Sequence, residues 1–312
     1  MNTRAFRPFA VAAAILAAAC GGGLQPAPTP TPAPPTPAPV VPIVLEPTVE
    51  RWTMPAVMPS TKYVNEVATT LERDSAGRVL TEHVTTRGII TLQGRRDTLG
   101  AFRGSGAVDS FTVRGLERVL TPGQAESKGS MQVPVVTVAP LNVMFDAVLD
   151  SRIFRVAARP ALPNECDRPE TGATSLVRDL IVRLPKTLSV GATWRDSTVS
   201  FLCRLGVPIT TRSNAVFTIE RAEQVQGRTE LIVRKTSDIQ LTGDLRSTWR
   251  VLTVSATGRA TQLIRVDASN GVLRSADVDG MLTVKLTDTS RRDGSGTQEV
   301  RQTTKGRVTF LR

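Results

Sequence analysis

Few side chains in this chain can do chemistry. There is one histidine, His83, beside Glu82 in the threonine-rich stretch Thr81 to Thr86. A histidine there offers a general base, or sits as a surface residue facing a neighbouring strand, which is the simpler reading. Asp277 and Asp279 lie two residues apart, a spacing that would let two carboxylates hold a cation or share acid–base work on one side of a strand. Lys285 falls on the same side, which marks it as the solvated one. Glu165 and Asp167 flank Cys166 and read as loop-solubilising charges. Trp194 and Trp249 either line a ligand cavity or fill a core, and in a β protein the core is the expected place. There is no G-x-S-x-G elbow, phosphate-cradling loop or dinucleotide-binding glycine pattern. The residues therefore point to a non-enzymatic protein with no catalytic residue, no metal and no cofactor, and no ligand-binding residue is named by the sequence.

The elements that would carry these residues are strands. Val272, Ala276, Val278, Leu282, Val284 and Leu286 share one parity, and Ser275, Asp277, Asp279, Thr283, Lys285 and Thr287 share the other. Alternation with period two means one buried face and one wet face. Arg228 to Leu241 alternates likewise, with Leu231, Val233, Ile239 and Leu241 opposed to Arg228, Glu230, Arg234 and Asp238. Turn residues separate such runs at Ser75-Ala76-Gly77, Gln226-Gly227, Ser269-Asn270-Gly271 and Asp293-Gly294-Ser295-Gly296. The expected fold class is all-β and mainly antiparallel: a large curved sheet or half-barrel meander. One short inserted helix is predicted over Leu176 to Leu184, with Leu176, Val177, Leu180, Ile181 and Leu184 at helical spacing, a Thr174 or Ser175 cap, and a stop at Pro185. Ten residues of helix, about 15 Å, cannot cover the apolar side of so many strands. The rest of that side must close on itself, face a second sheet or line a cavity.

A faint internal repeat accompanies the strands. Tyr63 to Ala68, Gly77-Arg78 and Ile90 to Gly94 match Phe217 to Ala222, Gly227-Arg228 and Ile239 to Gly243. Either two half-sheets, 61–150 and 190–312, are joined by a helix-containing segment, or this is how any hairpin-rich chain reads.

The N-terminus is an address. Arg4 and Arg7 precede an apolar run from Phe9 to Ala19, which reads as a secretory signal over residues 1–19. Leu16-Ala17-Ala18-Ala19-Cys20 resembles the lipobox of bacterial lipoproteins, although Ala17 stands where leucine is usual. That resemblance implies cleavage before Cys20 and acylation of it; cleavage after Ala19 that leaves Cys20 unmodified is the alternative. Two or three acyl chains would anchor the protein stably to a membrane. Gly21, in place of aspartate, then implies the outer membrane as the destination. Residues 20–47 continue as a proline-rich tether that cannot bury a core, and about two dozen such residues extend up to ~70 Å. Folded structure should begin between Thr48 and Thr61, giving a β domain over 48–312.

With Cys20 acylated, Cys166 and Cys203 remain as a pair in an oxidising compartment. They lie 37 positions apart, and a disulfide between them would stabilise the fold by about 4 kcal/mol on the chain-entropy model. Metal binding is the rival, and it lacks a second cysteine pair and a nearby histidine.

The chain of 312 residues carries 39 Lys and Arg against 28 Asp and Glu. Loss of Arg4 and Arg7 with the signal lowers the formal charge from +11 to +9. These charges alternate along strands instead of clustering, and no nucleic-acid-binding motif is present, so diffuse attraction to anionic envelope surfaces is expected and nucleic acid is not.

Leu184-Pro185 followed by Leu188-Ser189-Val190-Gly191-Ala192-Thr193-Trp194-Arg195-Asp196 resembles a segment found in many uncharacterised bacterial lipoproteins, and the hairpin Val266 to Leu273 fits the same pattern. The overall plan over Thr61 to Arg312 is also similar, in architecture, to envelope carriers of the LolA and LolB type, which shuttle lipidated proteins. These resemblances imply a lipid-anchored envelope protein that binds a hydrophobic ligand (a lipid, an acyl chain or a lipidated partner) without catalysis. The alternative is a structural or assembly lipoprotein that contacts another envelope protein or the cell wall.

Overall fold

The computed structural model describes residues 51–311 except 53–56, 76–77, 99–100, 121–129, 133–135, 139–142, 150–153, 160–176, 178–179, 181, 185–187, 205–206, 247–250, 270 and 290–295. The signal, Cys20, the tether, Glu165, Cys166, Asp167 and Trp249 lie outside the described residues.

Among the described residues the chain is almost entirely strand. In order these are β1 (Arg51–Trp52), β2 (Val57–Ser75), β3 (Arg78–Arg96), β4 (Phe102–Leu120), β5 (Ser130–Gln132), β6 (Val136–Val138), β7 (Val143–Leu149) and β8 (Phe154–Arg159). They continue with β9 (Arg183–Leu184), β10 (Thr193–Arg204), β11 (Val207–Val225), β12 (Arg228–Arg246), β13 (Val251–Asp267), β14 (Leu273–Asp288) and β15 (Gly296–Leu311). Thirteen of them form one antiparallel sheet, ordered β10-β11-β12-β13-β14-β15-β2-β3-β4-β7-β8, with β5 and β6 also paired to β4. The long strands run 19 residues, about 60 Å at 3.3 Å per residue.

The expected all-β antiparallel meander is therefore present. It is open and uncurled, with β10 and β8 as separate edges, so the half-barrel alternative does not apply. The decisive pairing is between the last strand and the first long one. β15 lies beside β2 from Val300↔Arg73 to Leu311↔Lys62, which fuses the N- and C-terminal halves into one sheet.

The predicted helix falls largely outside the described residues. Val177 is helical and the Leu180 N–H donates to the Val177 carbonyl at 3.1 Å, the bond of a single four-residue turn. The chain is already extended at Arg183–Leu184, where β9 pairs with β1, so the helix does not reach Leu184 as the spacing suggests. Its apolar positions are nevertheless buried: Val177, Leu180 and Leu184 pack into the same core cluster as the sheet.

Alternation runs through the long strands and is broken where Tyr63 to Asn65 and Glu230 to Val233 are buried in succession. In β13, Leu252, Val254, Ala256, Ala260, Gln262, Ile264 and Val266 are buried, and Thr253, Ser255, Thr257 and Arg259 are exposed. β14 buries Ala276, Val278, Leu282 and Val284, the residues that alternation in the sequence assigns. The wet face is laced with cross-strand ion pairs. Asp277, Arg307, Glu66 and Arg87 alternate in sign across β14, β15, β2 and β3, with Arg307 Nε 2.7 Å from Asp277 and Arg87 Nε 3.2 Å from Glu66. Opposite charges on adjacent strands suit a solvated face and contribute little each.

The two hairpins of the sequence repeat have equal dimensions. β2 and β3 are 19 residues each and are separated by two residues, and so are β11 and β12. The second turn places Gln226 at φ 52° and Gly227 at φ 77°, the left-handed pair that a two-residue hairpin requires.

Candidate apolar face and its polar belt

The buried face of the sheet is the candidate site. Residues directly opposite in antiparallel strands project to the same side, so the register identifies this face across the sheet. It carries two large apolar clusters at opposite ends of the strands and a small third one, Leu71 and Val84 with Val300, on β2, β3 and β15.

The first cluster gathers Tyr63, Ile90, Leu92, Phe102, Phe145, Phe217, Ile219, Ile264 and Val308 from the sheet with Val177, Leu180, Val182, Leu184 and Leu188 from outside the main sheet. At this end β11, β13, β2 and β3 all carry register shifts, at Ile219/Arg221, Arg265/Val266, Met58/Thr61 and Ile89/Ile90. Bulges sharpen local twist, and here they coincide with the end on which Val177, Leu180, Val182, Leu184 and Leu188 pack. Trp194 stacks on Phe217, with ring centroids 5.0 Å apart and planes within 10°. It packs against this cluster, the core position expected for it. Glycines let aromatic rings lie on the sheet surface: a Cβ at Gly94 or Gly104 would meet the Phe102 ring, and one at Gly106 would meet the Thr91 carbonyl and the Phe145 ring.

The second cluster comprises Val207, Ile209, Leu241, Leu252, Val254, Ala256, Leu282 and Val284, flanked by the partly exposed Ile239, Leu245, Leu286 and Val300. Every described member belongs to the sheet itself, from β11 to β15.

Between the clusters the face turns polar. Thr304 lies opposite Thr69 across the β15–β2 seam, with their hydroxyls 3.5 Å apart. Gln302 donates its amide N–H to Thr304 at 3.2 Å. Ser237 faces Ala260 across β12–β13, and Gln262 is on the same face as Ala260. Other buried polar residues are scattered along the neighbouring strands: Asn65 lies opposite Val308 of the first cluster, six residues from Leu71 opposite Gln302, and Thr86 and Glu82 lie four residues apart on β3. All of these side chains are at least nine-tenths buried. Asn65 Oδ1, Thr86 Oγ1 and Gln302 Oε1 have no hydrogen-bond partner there. Sequence reading passed over this belt because threonine, serine and glutamine on a strand look solvent-facing. The signal was their parity: Thr304 and Gln302 alternate in phase with Val308, and Thr69 with Leu71.

The edge of the first cluster holds the most strongly organised charge. Asp267 is fully buried and its carboxylate accepts from the Ser269 N–H at 3.0 Å, the Ser269 hydroxyl at 2.6 Å and an Arg274 N–H at 2.8 Å. Burial opposes its charge, but the hydrogen bonds from Ser269 and Arg274 outweigh that and hold the carboxyl below the usual range. The Arg274 guanidinium lies 4.7 Å above the Phe310 ring, and Phe310 meets Tyr63 edge-on at 5.9 Å. Burial pushes the Tyr63 hydroxyl well above the ordinary tyrosine range, against the opposing charge of Arg274. Nearby, Glu223 is held low chiefly by its hydrogen bond from Arg221, 2.6 Å away, with Arg265 adding to it. These groups tie the β13–β14 hairpin to β15 and β2.

The residues that the sequence offers for chemistry are not brought together. His83 is exposed on the wet face, with Nδ1 3.0 Å from the Thr70 hydroxyl, while Glu82 next to it projects to the buried side. Adjacent strand residues point apart, so the two do not form a dyad. Asp277 is paired with Arg307, and the exposed Asp279 lies opposite Lys305. No group of three or more His, Cys, Asp or Glu with metal-binding proximity occurs among the described residues. Cys203 stands in β10 opposite Pro208. Its expected disulfide partner, Cys166, is outside the described residues. Comparison with models of known protein families and with curated proteins gives no match to this chain.

Proposed function

We propose that this protein is a lipid-anchored envelope protein that binds a hydrophobic ligand, without catalysis, on the apolar face of its sheet. One observation carries the reading. The second apolar cluster spans five adjacent strands, and all its described members are residues of the sheet. Its core residues are 1–8% exposed, so a ligand would dock at the partly exposed flank of Ile239, Leu245, Leu286 and Val300, where apolar area removed from water stabilises a complex by about 25 cal/mol per Å². An acyl chain on Cys20 and the tether would hold the domain at the membrane, raising the local concentration of lipid ligand. Outer-membrane placement belongs to the same proposal.

The test is lipid extraction and mass spectrometry on the full chain purified from envelopes without denaturant. A stoichiometric lipid supports the reading. A clean protein that also refuses a fluorescent fatty acid refutes it. The edge strand β10 favours the second reading, an assembly lipoprotein: among the described residues its only strand partner is β11, and Val199 on it is half exposed. Unpaired edges recruit strands from other chains.

A further inference from the structure

We infer that the edge of β10 takes an added strand from an acidic partner protein, an extended segment that sets carboxylates against Arg195 and Arg212. This rests on the assembly reading and names the chemistry of the partner. It is independent of whether the apolar face binds a lipid.

The edge is long and unguarded. β10 keeps unbroken register with β11 from Thr193↔Thr218 to Arg204↔Val207. It contains no proline and no lysine, two usual guards of an edge, and no bulge. The Ile219 N–H donates to the Ala192 carbonyl at 3.0 Å, which sets the phase of the ladder. Even-numbered residues of β10 bond to β11, and Thr193, Arg195, Ser197 and Val199 turn their N–H and C=O outward. Among the described residues no strand pairs with that outer side.

The side chains of these four residues lie on the wet face, which has its own character here. Arg195 is opposite Val216 and Val199 is opposite Arg212, on either side of Ser197 and Asn214. Val199 and Val216 are 52% and 42% exposed. Arg195 and Arg212 are exposed and have no carboxylate partner among the described residues. Further into the sheet the same face balances its charges, as in Arg259 with Asp238 at 3.0 Å and Arg307 with Asp277 at 2.7 Å. An added strand continues this face. One of its residues stands beside Arg195, and the next but one on that face stands beside Val199, a strand away from Arg212. Carboxylates at those places meet both arginines, while the arginine stems and the valines lose contact with water. A row of outward N–H and C=O groups calls for a polypeptide backbone, which an anionic lipid surface does not offer. A second copy of this chain fits poorly. The other edge strand, β8, has Arg155 and Arg159 as its only charges. In a two-fold β10–β10 pair, Asp196 stays on the face opposite to Arg195 and cannot neutralise it.

The experiment measures binding of labelled peptides, about nine residues of alternating threonine and valine, to the full chain. One peptide carries glutamates at the positions beside Arg195 and Val199; the others carry glutamine or lysine there. The glutamate peptide should bind roughly 3- to 10-fold more tightly than the glutamine peptide, the value of two exposed ion pairs, and about 1 M salt should erase the margin. Arg195→Gln together with Arg212→Gln should remove the margin and leave the affinity for the glutamine peptide unchanged. Methylation of the peptide amides that face β10 should abolish binding. Equal binding of the glutamate and glutamine peptides, or tightest binding of the lysine peptide, overturns the acidic partner and leaves the assembly reading standing. Binding of none of the peptides overturns both. Methylated peptides that bind as well as unmethylated ones show charge attraction without strand pairing, which overturns the inference. Arginine substitutions that weaken binding to phosphatidylglycerol vesicles but not to the glutamate peptide assign these side chains to the membrane and overturn it too.

Discussion

Asp267→Ala should be among the most destabilising single substitutions in the domain. The carboxylate is fully buried and takes three hydrogen bonds, at 3.0, 2.6 and 2.8 Å. Removing one partner of a buried ion pair costs about 3–5 kcal/mol, because the other charge is left uncompensated. Arg274 is 16% exposed and keeps its place over Phe310, which puts the loss at the lower end, about 3 kcal/mol. For a domain of this size that lowers Tm by roughly 6–12 °C. The double variant Asp267→Ala with Arg274→Met removes both charges and should lose only about 1 kcal/mol, the value of the Ser269 turn. A double-mutant cycle followed by urea denaturation should thus show a coupling of at least about 2 kcal/mol, larger by whatever Arg274→Met costs alone. The pH dependence has a definite sign. The folded carboxyl lies below its unfolded value, so its contribution is complete above about pH 4 and disappears as pH falls through the folded value. The gap between wild type and Asp267→Ala should accordingly close in acid. A single-variant loss under about 1 kcal/mol, an additive double variant, or a gap that persists in strong acid would refute the reasoning.

Gly106→Ala should cost at least about 2 kcal/mol in urea denaturation, since its Cβ meets the Thr91 carbonyl and the Phe145 ring, whereas Gly227→Ala meets nothing and should cost about 1 kcal/mol from its positive φ alone. Glu66→Gln breaks the wet-face charge ladder and should change stability by less than about 1 kcal/mol, a difference that 1 M salt erases. Non-reducing peptide mapping of the natively exported protein should recover Cys166 linked to Cys203; two free thiols would exclude the pair.

Strand character was legible because alternation is a local property. Val278, Leu282 and Val284 declare one face without reference to any other strand. Sheet order was not legible. Nothing in the pattern of β15 says that its neighbour is β2, because that pairing joins Thr69 to Thr304, 235 positions away. The open edges follow from that order and were equally hidden. The 177–188 segment was half legible: the apolar positions were found, but helical spacing and a short strand both place Leu184 on a buried side, and pairing of β9 with β1 decides between them. The belt was the least legible feature, since polar residue types suggest water and only their phase with Val308 and Leu71 places them inside.

Part of the belt has a structural reason. A slip of one residue flips every side chain to the wrong face, but a slip of two preserves the alternation, so apolar patterning alone does not fix the β15–β2 register. The Thr69–Thr304 contact and the Gln302 amide bonded to Thr304 distinguish those registers, and these groups satisfy each other. Thr69→Val should therefore loosen the seam, seen as faster amide exchange along β15 and β2, whereas Thr86→Val, at a hydroxyl with no partner, should leave that exchange unchanged. Equal effects of the two substitutions would mean that burial, and not the contact across the seam, sets the register.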